Sequence, residues 1–163
     1  MHSNPPTIRR RDWLGQGLGV AAAWSLGSVA WAAGEGLPEA TSLQQALEKA
    51  LAQGQPLLVM VSLEGCVYCK IARQSHLVPM FKQGQPMVQV DLRSAHSVMD
   101  FSGAKTTHDQ LTRAWKISVA PTLLFFGAGG REVAERMEGA YLPDFYGAYL
   151  EERLSKGRRG LRP

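Results

Sequence analysis

The stretch Glu64-Gly65-Cys66-Val67-Tyr68-Cys69-Lys70 limits the folds open to this chain more than any other, because it sets the only two cysteines two residues apart between a strand signal and a helix signal. Upstream, Leu57 to Leu63 is short and mostly apolar and follows the breaker Gly54-Gln55-Pro56. That pattern predicts a strand buried on both faces. Downstream, Lys70 to Leu77 has helix-compatible composition, so Cys66 falls at a helix start and Cys69 about one turn inside. Unpaired N–H groups and partial positive charge at a helix start favour a thiolate over a thiol. Cys66 is therefore the expected nucleophile, with a thiol pKa lowered from about 8.5 into a range of roughly 3.5 to 7.5. Cys69 is the expected resolving cysteine.

Two plainer uses of the pair fit less well. A disulfide across so short a loop removes little entropy from the unfolded chain, which makes it a poor staple under the loop-closure account. A structural zinc needs about four ligands, and His2, His76, His96 and His108 form no close-spaced pair to supplement two cysteines. No metal is expected, with copper on the two thiolates the weaker alternative.

The 163 residues, 45% apolar and 20% charged, suffice for one domain with a core. The formal charge of +4 would suggest nucleic acid if it were spread over the body. It is not. Arg9, Arg10 and Arg11 lie at one end, Arg153, Lys156, Arg158, Arg159 and Arg162 at the other, and Ala33 to Glu152 holds ten basic against thirteen acidic residues, a net of −3. No nucleic-acid partner is expected.

Residues 1–32 read as an export leader. Arg9-Arg10-Arg11 and Asp12-Trp13-Leu14 precede a weakly apolar Gly15 to Val29 run and the box Ala30-Trp31-Ala32, after which cleavage is expected. The arginines followed by Asp-Trp-Leu resemble a twin-arginine signal with Arg10 and Arg11 as the pair. The alternative is an uncleaved anchor, which needs about 20 predominantly apolar residues. Gln16, Ser25, Ser28 and several glycines dilute this stretch. The expected location is the periplasm, with membrane contact only during export, in an oxidising compartment suited to disulfide chemistry.

A linker, 33–41, leads to a helix capped by Thr41 or Ser42, with Leu43, Ala46, Leu47, Ala50 and Leu51 on one apolar face. Pro79 should end or kink the helix that follows the cysteines. Met87 to Asp91 alternates as a strand, and Arg93 to Ala104 shows no period and reads as a loop. A helix capped by Thr107 runs to Lys116, Val119 to Phe126 is a strand, Gly127-Ala128-Gly129-Gly130 a turn, and Arg131 to Glu138 its hairpin partner. A last helix covers Phe145 to about Leu154, and the basic residues 155–163 are expected to be a disordered tail that serves solubility.

This order of elements, with Cys-x-x-Cys after a buried strand and Val119-Ala120-Pro121-Thr122 about fifty residues later, resembles the thioredoxin fold over residues 42–154. The chain is similar to exported thioredoxin-like thiol-disulfide oxidoreductases, closest to periplasmic thioredoxins of sulfur-oxidation systems and more loosely to the catalytic domains of periplasmic disulfide isomerases. The resemblance implies an α/β single domain with a central mixed sheet flanked by helices. It implies a cis Pro121 facing the cysteines, and Ala120 pairing its backbone with an extended substrate beside Cys66. Val67 and Tyr68 would contact substrate, with a partly exposed structural ring the equal alternative for Tyr68.

No cofactor is implied. The implied partners are periplasmic protein thiols and disulfides and a membrane thiol-electron donor, with reduction as the direction and a monomer as the state. Oxidase or isomerase action, a copper carrier and a peptide-holding module are the alternatives. The chain departs from cytosolic thioredoxins at Gly65, where those carry Trp, and at Met60, where they carry a buried acid. A proton acceptor for Cys69 is thus missing. Glu64 reads as a solvated loop charge, and His76, two turns beyond Cys69 or about 10 Å, as a structural histidine.

Overall fold

The computed structural model describes residues 36–139 and 143–161. The leader, its arginines and the cleavage position after Ala32 lie outside the described residues. The chain divides into units 1–32 and 33–163, and every described residue belongs to the second.

The elements run α1 (Leu43–Ala52), β1 (Leu57–Ser62), α2 (Val67–Ala72), a π turn (Arg73–Leu77), α3 (Val78–Lys82), β2 (Met87–Asp91), β3 (Ser97–Met99) and β4 (Lys105–Thr107). They continue with α4 (His108–Ala114), β5 (Thr122–Gly127), β6 (Arg131–Glu138) and α5 (Pro143–Gly160). Four strands make one mixed sheet in the order β2-β1-β5-β6, with β1 parallel to β2 and antiparallel to β5.

The continuous apolar run of β1 follows from its central place, since every one of its residues is buried. Alternate side chains enter opposite layers. Leu57, Val59 and Val61 join Leu124 and Phe126 against Leu43, Leu47 and Ala50 of α1 and Leu111 of α4. Leu58 and Met60 join Leu123 and Phe125 against Cys69, Ala72, Leu77 and the α5 residues Tyr146, Leu150 and Leu154. The α/β architecture with a mixed sheet between helices is as the sequence implies.

The helix starts form where hydroxyls precede apolar spacing. Ser42 Oγ accepts the Gln45 N–H at 3.2 Å and Thr107 Oγ1 accepts the Gln110 N–H at 3.2 Å. Thr107→Ala removes the second cap and should cost about 1 kcal/mol of stability. A denaturation midpoint unchanged from wild type would show that this cap contributes nothing.

Three expectations change. Pro79 does not end the helical run from Val67 to Lys82, which is interrupted just before it by the π turn. Proline lacks an N–H and its ring crowds the preceding turn, and here the turn widens so that the Val78 N–H reaches back to the Arg73 carbonyl. The expected loop at Arg93 to Ala104 holds strand β3, which pairs antiparallel with β4 from Ser97↔Thr107 to Met99↔Lys105. Its turn is set by Asp100, whose Oδ1 accepts the Ser102 hydroxyl at 2.7 Å, the Ser102 N–H at 2.8 Å and the Ala104 N–H at 2.9 Å. These bonds, the Ser102 hydroxyl foremost, hold the Asp100 carboxyl below the usual carboxylate range.

The third concerns the basic end, which continues α5 as helix to Gly160 instead of leaving it disordered after Leu154. Its cations meet acids: Arg153 bonds Glu135 at 2.9 Å, Arg158 bonds Glu151 at 2.5 Å and Lys156 bonds Glu152 at 3.5 Å. Gly157 lets the helix press on Pro56, whose Cγ would lie 3.0 Å from an added Cβ. Among the described residues, no helix is long and apolar enough to cross a membrane.

Candidate redox site

Strand register assembles the site at one edge of the sheet. Ser62↔Asp91 brings the end of β2 beside the end of β1, and Val61↔Thr122 brings the start of β5 there as well. The chain leaves β1 through Gly65, whose φ of +72° suits glycine, and Cys66 takes the N-cap position of α2. Cys66 and Cys69 are joined in a disulfide with their Cα atoms 5.2 Å apart. The Cys69 N–H donates to Cys66 Sγ at 3.1 Å.

The two sulfurs have different surroundings. Cys66 is half-buried, whereas Cys69 is 1% exposed and packs with Met60 and Leu58 in the apolar layer beneath. No acid stands at position 60, so the floor under Cys69 is apolar where the sequence comparison with cytosolic thioredoxins would place a proton acceptor.

Across from the disulfide, the Ala120–Pro121 peptide bond is cis. Ala120 is half-buried with its carbonyl oxygen 3.8 Å from Cys66 Sγ, and Pro121 is buried with its carbonyl accepting the Gly139 N–H at 2.8 Å. Thr122 Oγ1 donates to the Val119 carbonyl at 2.8 Å and braces the approach. Val67 is 66% exposed and Tyr68 62%, and Ile71 and Val119 are exposed too. The structure thus brings Cys66, Cys69, Ala120 and Pro121 together and leaves Val67 and Tyr68 standing out beside them.

On the other side of Cys66 lies a cleft of about 840 Å³ whose lining includes Glu64, Lys70, Arg73, Gln89, Asp91 and Arg93. Glu64 is exposed on its rim. Arg73 Nε donates to Gln89 Oε1 at 2.9 Å and Nη2 to Ser62 Oγ at 2.8 Å, while Gln89 Nε2 donates to Asp91 Oδ1 at 2.8 Å. This polar ladder was not legible in the sequence. Its members sit on three elements, and only the strand register joins them.

The histidines have structural positions. His76 lies 4.8 Å, centroid to centroid, from the ring of Tyr146, and burial lowers its pKa. His108 is buried: Nδ1 accepts the Asp91 N–H at 3.1 Å, which places the ring hydrogen on Nε2, 2.9 Å from the Ala40 carbonyl. His96 Nδ1 is bonded to Glu39 at 2.6 Å. Glu39, Asp91, His96 and His108 bring donor atoms within 4.8 Å of one another, a grouping that their sequence separations conceal. Both ring nitrogens of His108 are already held by backbone groups, which leaves Glu39, Asp91 and His96 as the side chains able to hold an ion.

A family model described as a thioredoxin-like domain matches residues 43–154. The chain belongs to the thioredoxin-like family. With its Cys-x-x-Cys pair, this thioredoxin-like domain is a thiol-disulfide oxidoreductase. Among solved structures it is similar to a protein titled DsbH oxidoreductase, with a TM-score of 0.51 and 19% identity over 90% of this chain and 95% of that one. It is also similar to mitochondrial thioredoxin 3 from Saccharomyces cerevisiae, with a TM-score of 0.47 and 17% identity over 73% and 93% of the two chains. The C-terminal domain of DsbD from Neisseria meningitidis gives a TM-score of 0.47 and 17% identity over 68% and 92%. No curated protein matches the chain.

Proposed function

We propose that this thioredoxin-like domain reduces protein disulfides in the periplasm, with Cys66 as nucleophile and Cys69 as resolving residue. The observation that carries the reading is the unequal burial of the pair: an incoming sulfur can reach half-buried Cys66, whereas Cys69 lies under it. The Cys66 thiolate attacks one sulfur of the substrate disulfide, forms the mixed disulfide and releases the other substrate sulfur as a thiolate. Cys69 then gives up its proton and displaces the second substrate sulfur. Two electrons pass to the substrate, and the enzyme is left with the Cys66–Cys69 bond.

An extended substrate segment would lie along Ala120, with Val67 and Tyr68 contacting its side chains. Export is supported by the leader pattern of residues 1–32. A membrane thiol donor would return the electrons, and the domain would act as a monomer.

The reductive direction is assigned from the resemblance to periplasmic thioredoxins of sulfur-oxidation systems. Strong oxidants in this superfamily have a strongly stabilised reduced form, with potentials near −120 mV against about −270 mV for a reductant. Equilibrating the full chain in dithiothreitol buffers should give about −250 mV or lower. A value near −120 mV overturns the assigned direction.

A further inference from the structure

We propose that the cleft beside Cys66 recognises a carboxylate on the substrate, so that the preferred substrates are disulfides flanked by acidic residues, with Arg73 as the principal reader and Arg93 as a second cation of the lining. This rests on the exchange reading given above. Lys70, Arg73 and Arg93 all line the cleft, against the acids Glu64 and Asp91. Among the described residues, none of the three cations is ion-paired with a carboxylate. That separates them from Arg113, Arg136, Arg153, Lys156 and Arg158, each of which has an acidic partner.

Arg73 is also held in place. The bond from Gln89 to Asp91 fixes the Gln89 amide with its oxygen toward Arg73 Nε, and Ser62 takes Nη2. Nη1 has no acceptor among the described residues and is not buried. A guanidinium fixed along one edge and open along another is suited to a carboxylate, because little side-chain freedom remains to be lost on binding.

Arg93 also lines the cleft, from the turn that follows β2. Its φ of +64° is a left-handed conformation that a residue with a side chain adopts at a cost. The turn is held by the Leu92 N–H on the Ser62 carbonyl at 2.7 Å and the Ser94 N–H on the Asp91 carbonyl at 3.2 Å. The same residue, Ser62, thus ties the Arg73 guanidinium through its hydroxyl and the backbone of the Arg93 turn through its carbonyl.

The test uses two disulfide-bonded peptides that differ only in carrying Glu or Gln beside the reacting cysteine, each reduced in a single turnover by the pre-reduced full chain. The readout is the ratio of the two rates, so any general loss of activity in a variant cancels. Wild type should reduce the Glu peptide about tenfold faster at low salt, a size expected of one charge-assisted hydrogen bond, with the ratio shrinking as salt is added.

Arg73→Met should bring the ratio close to one, and Arg73→Lys should leave it in between. Arg93→Met, on an exposed turn away from the core, should lower it in part and serves if Arg73→Met misfolds. Equal wild-type rates for the two peptides, or a ratio that both Arg→Met variants preserve, overturns the carboxylate reading and leaves exchange intact. Failure to reduce either peptide overturns exchange itself, and this inference with it.

Discussion

Cys69→Ala should turn the protein into a trap. Cys66 would still attack a substrate disulfide, but nothing would release it, so covalent adducts should build up on non-reducing gels and vanish with dithiothreitol. Steady-state turnover should fall by roughly three orders of magnitude or more, as expected when one member of a covalent relay is lost. Cys66→Ala should lose turnover as completely and gather no adducts. The contrast follows from burial: Cys69 is 1% exposed within an apolar layer and Cys66 faces the cleft and Ala120. Adducts of equal amount in the two variants would show that either sulfur can be reached, and the assignment of roles would fall.

The Met60 position bears on the same step. Leu58, Met60, Leu123 and Phe125 share the buried cluster of Cys69, and none of these four side chains can accept its proton. In the proposed exchange, water or the departing substrate thiolate serves as base for the resolving step. Trapped adducts in Cys69→Ala and slow resolution in the wild type are therefore different signals, separable by following the mixed disulfide in time.

The parts of the fold that were legible in the sequence are those set by local chemistry. The run Leu57 to Val61 is apolar throughout because its neighbours on both faces are helices, and Ser42 and Thr107 cap their helices as hydroxyls before apolar spacing do. What was not legible depends on partners far away in the chain. Ser97 to Met99 is too short to show a period and is a strand because Lys105 to Thr107 pairs with it.

The basic end reads as solvated charge until Glu135 of β6 is placed against Arg153. Arg73 carries no signal in the sequence, and only the register of β1 on β2 puts Gln89 and Ser62 within its reach. The cysteine pair was visible because both members share one short helix. The cleft beside it was not, since its lining draws on separate stretches of sequence, from Ser62 to Gln74 and from Gln89 to His96.

Phe126→Ala should be the most destabilising change away from the site. Phe126 is 2% exposed, with its ring centroid 4.6 Å from that of Phe101 and 5.3 Å from that of Trp115. Truncation removes this stack and leaves a cavity, at a cost of about 3–5 kcal/mol and a melting temperature lower by roughly 10–20 °C. Yet Phe126 faces the layer of α1 and α4, whereas its neighbour Phe125 faces the layer that contains Cys69. Phe125→Ala should therefore lose similar stability and also move the reduction potential by more than about 15 mV, half of the 30 mV that corresponds to about 1.4 kcal/mol, while Phe126→Ala should leave it in place. Adjacent residues of one strand would then separate what holds the fold from what tunes the disulfide. Equal shifts in the two variants would mean that the sheet transmits packing loss across its full thickness, and that the reactivity of Cys66 is a property of the whole core.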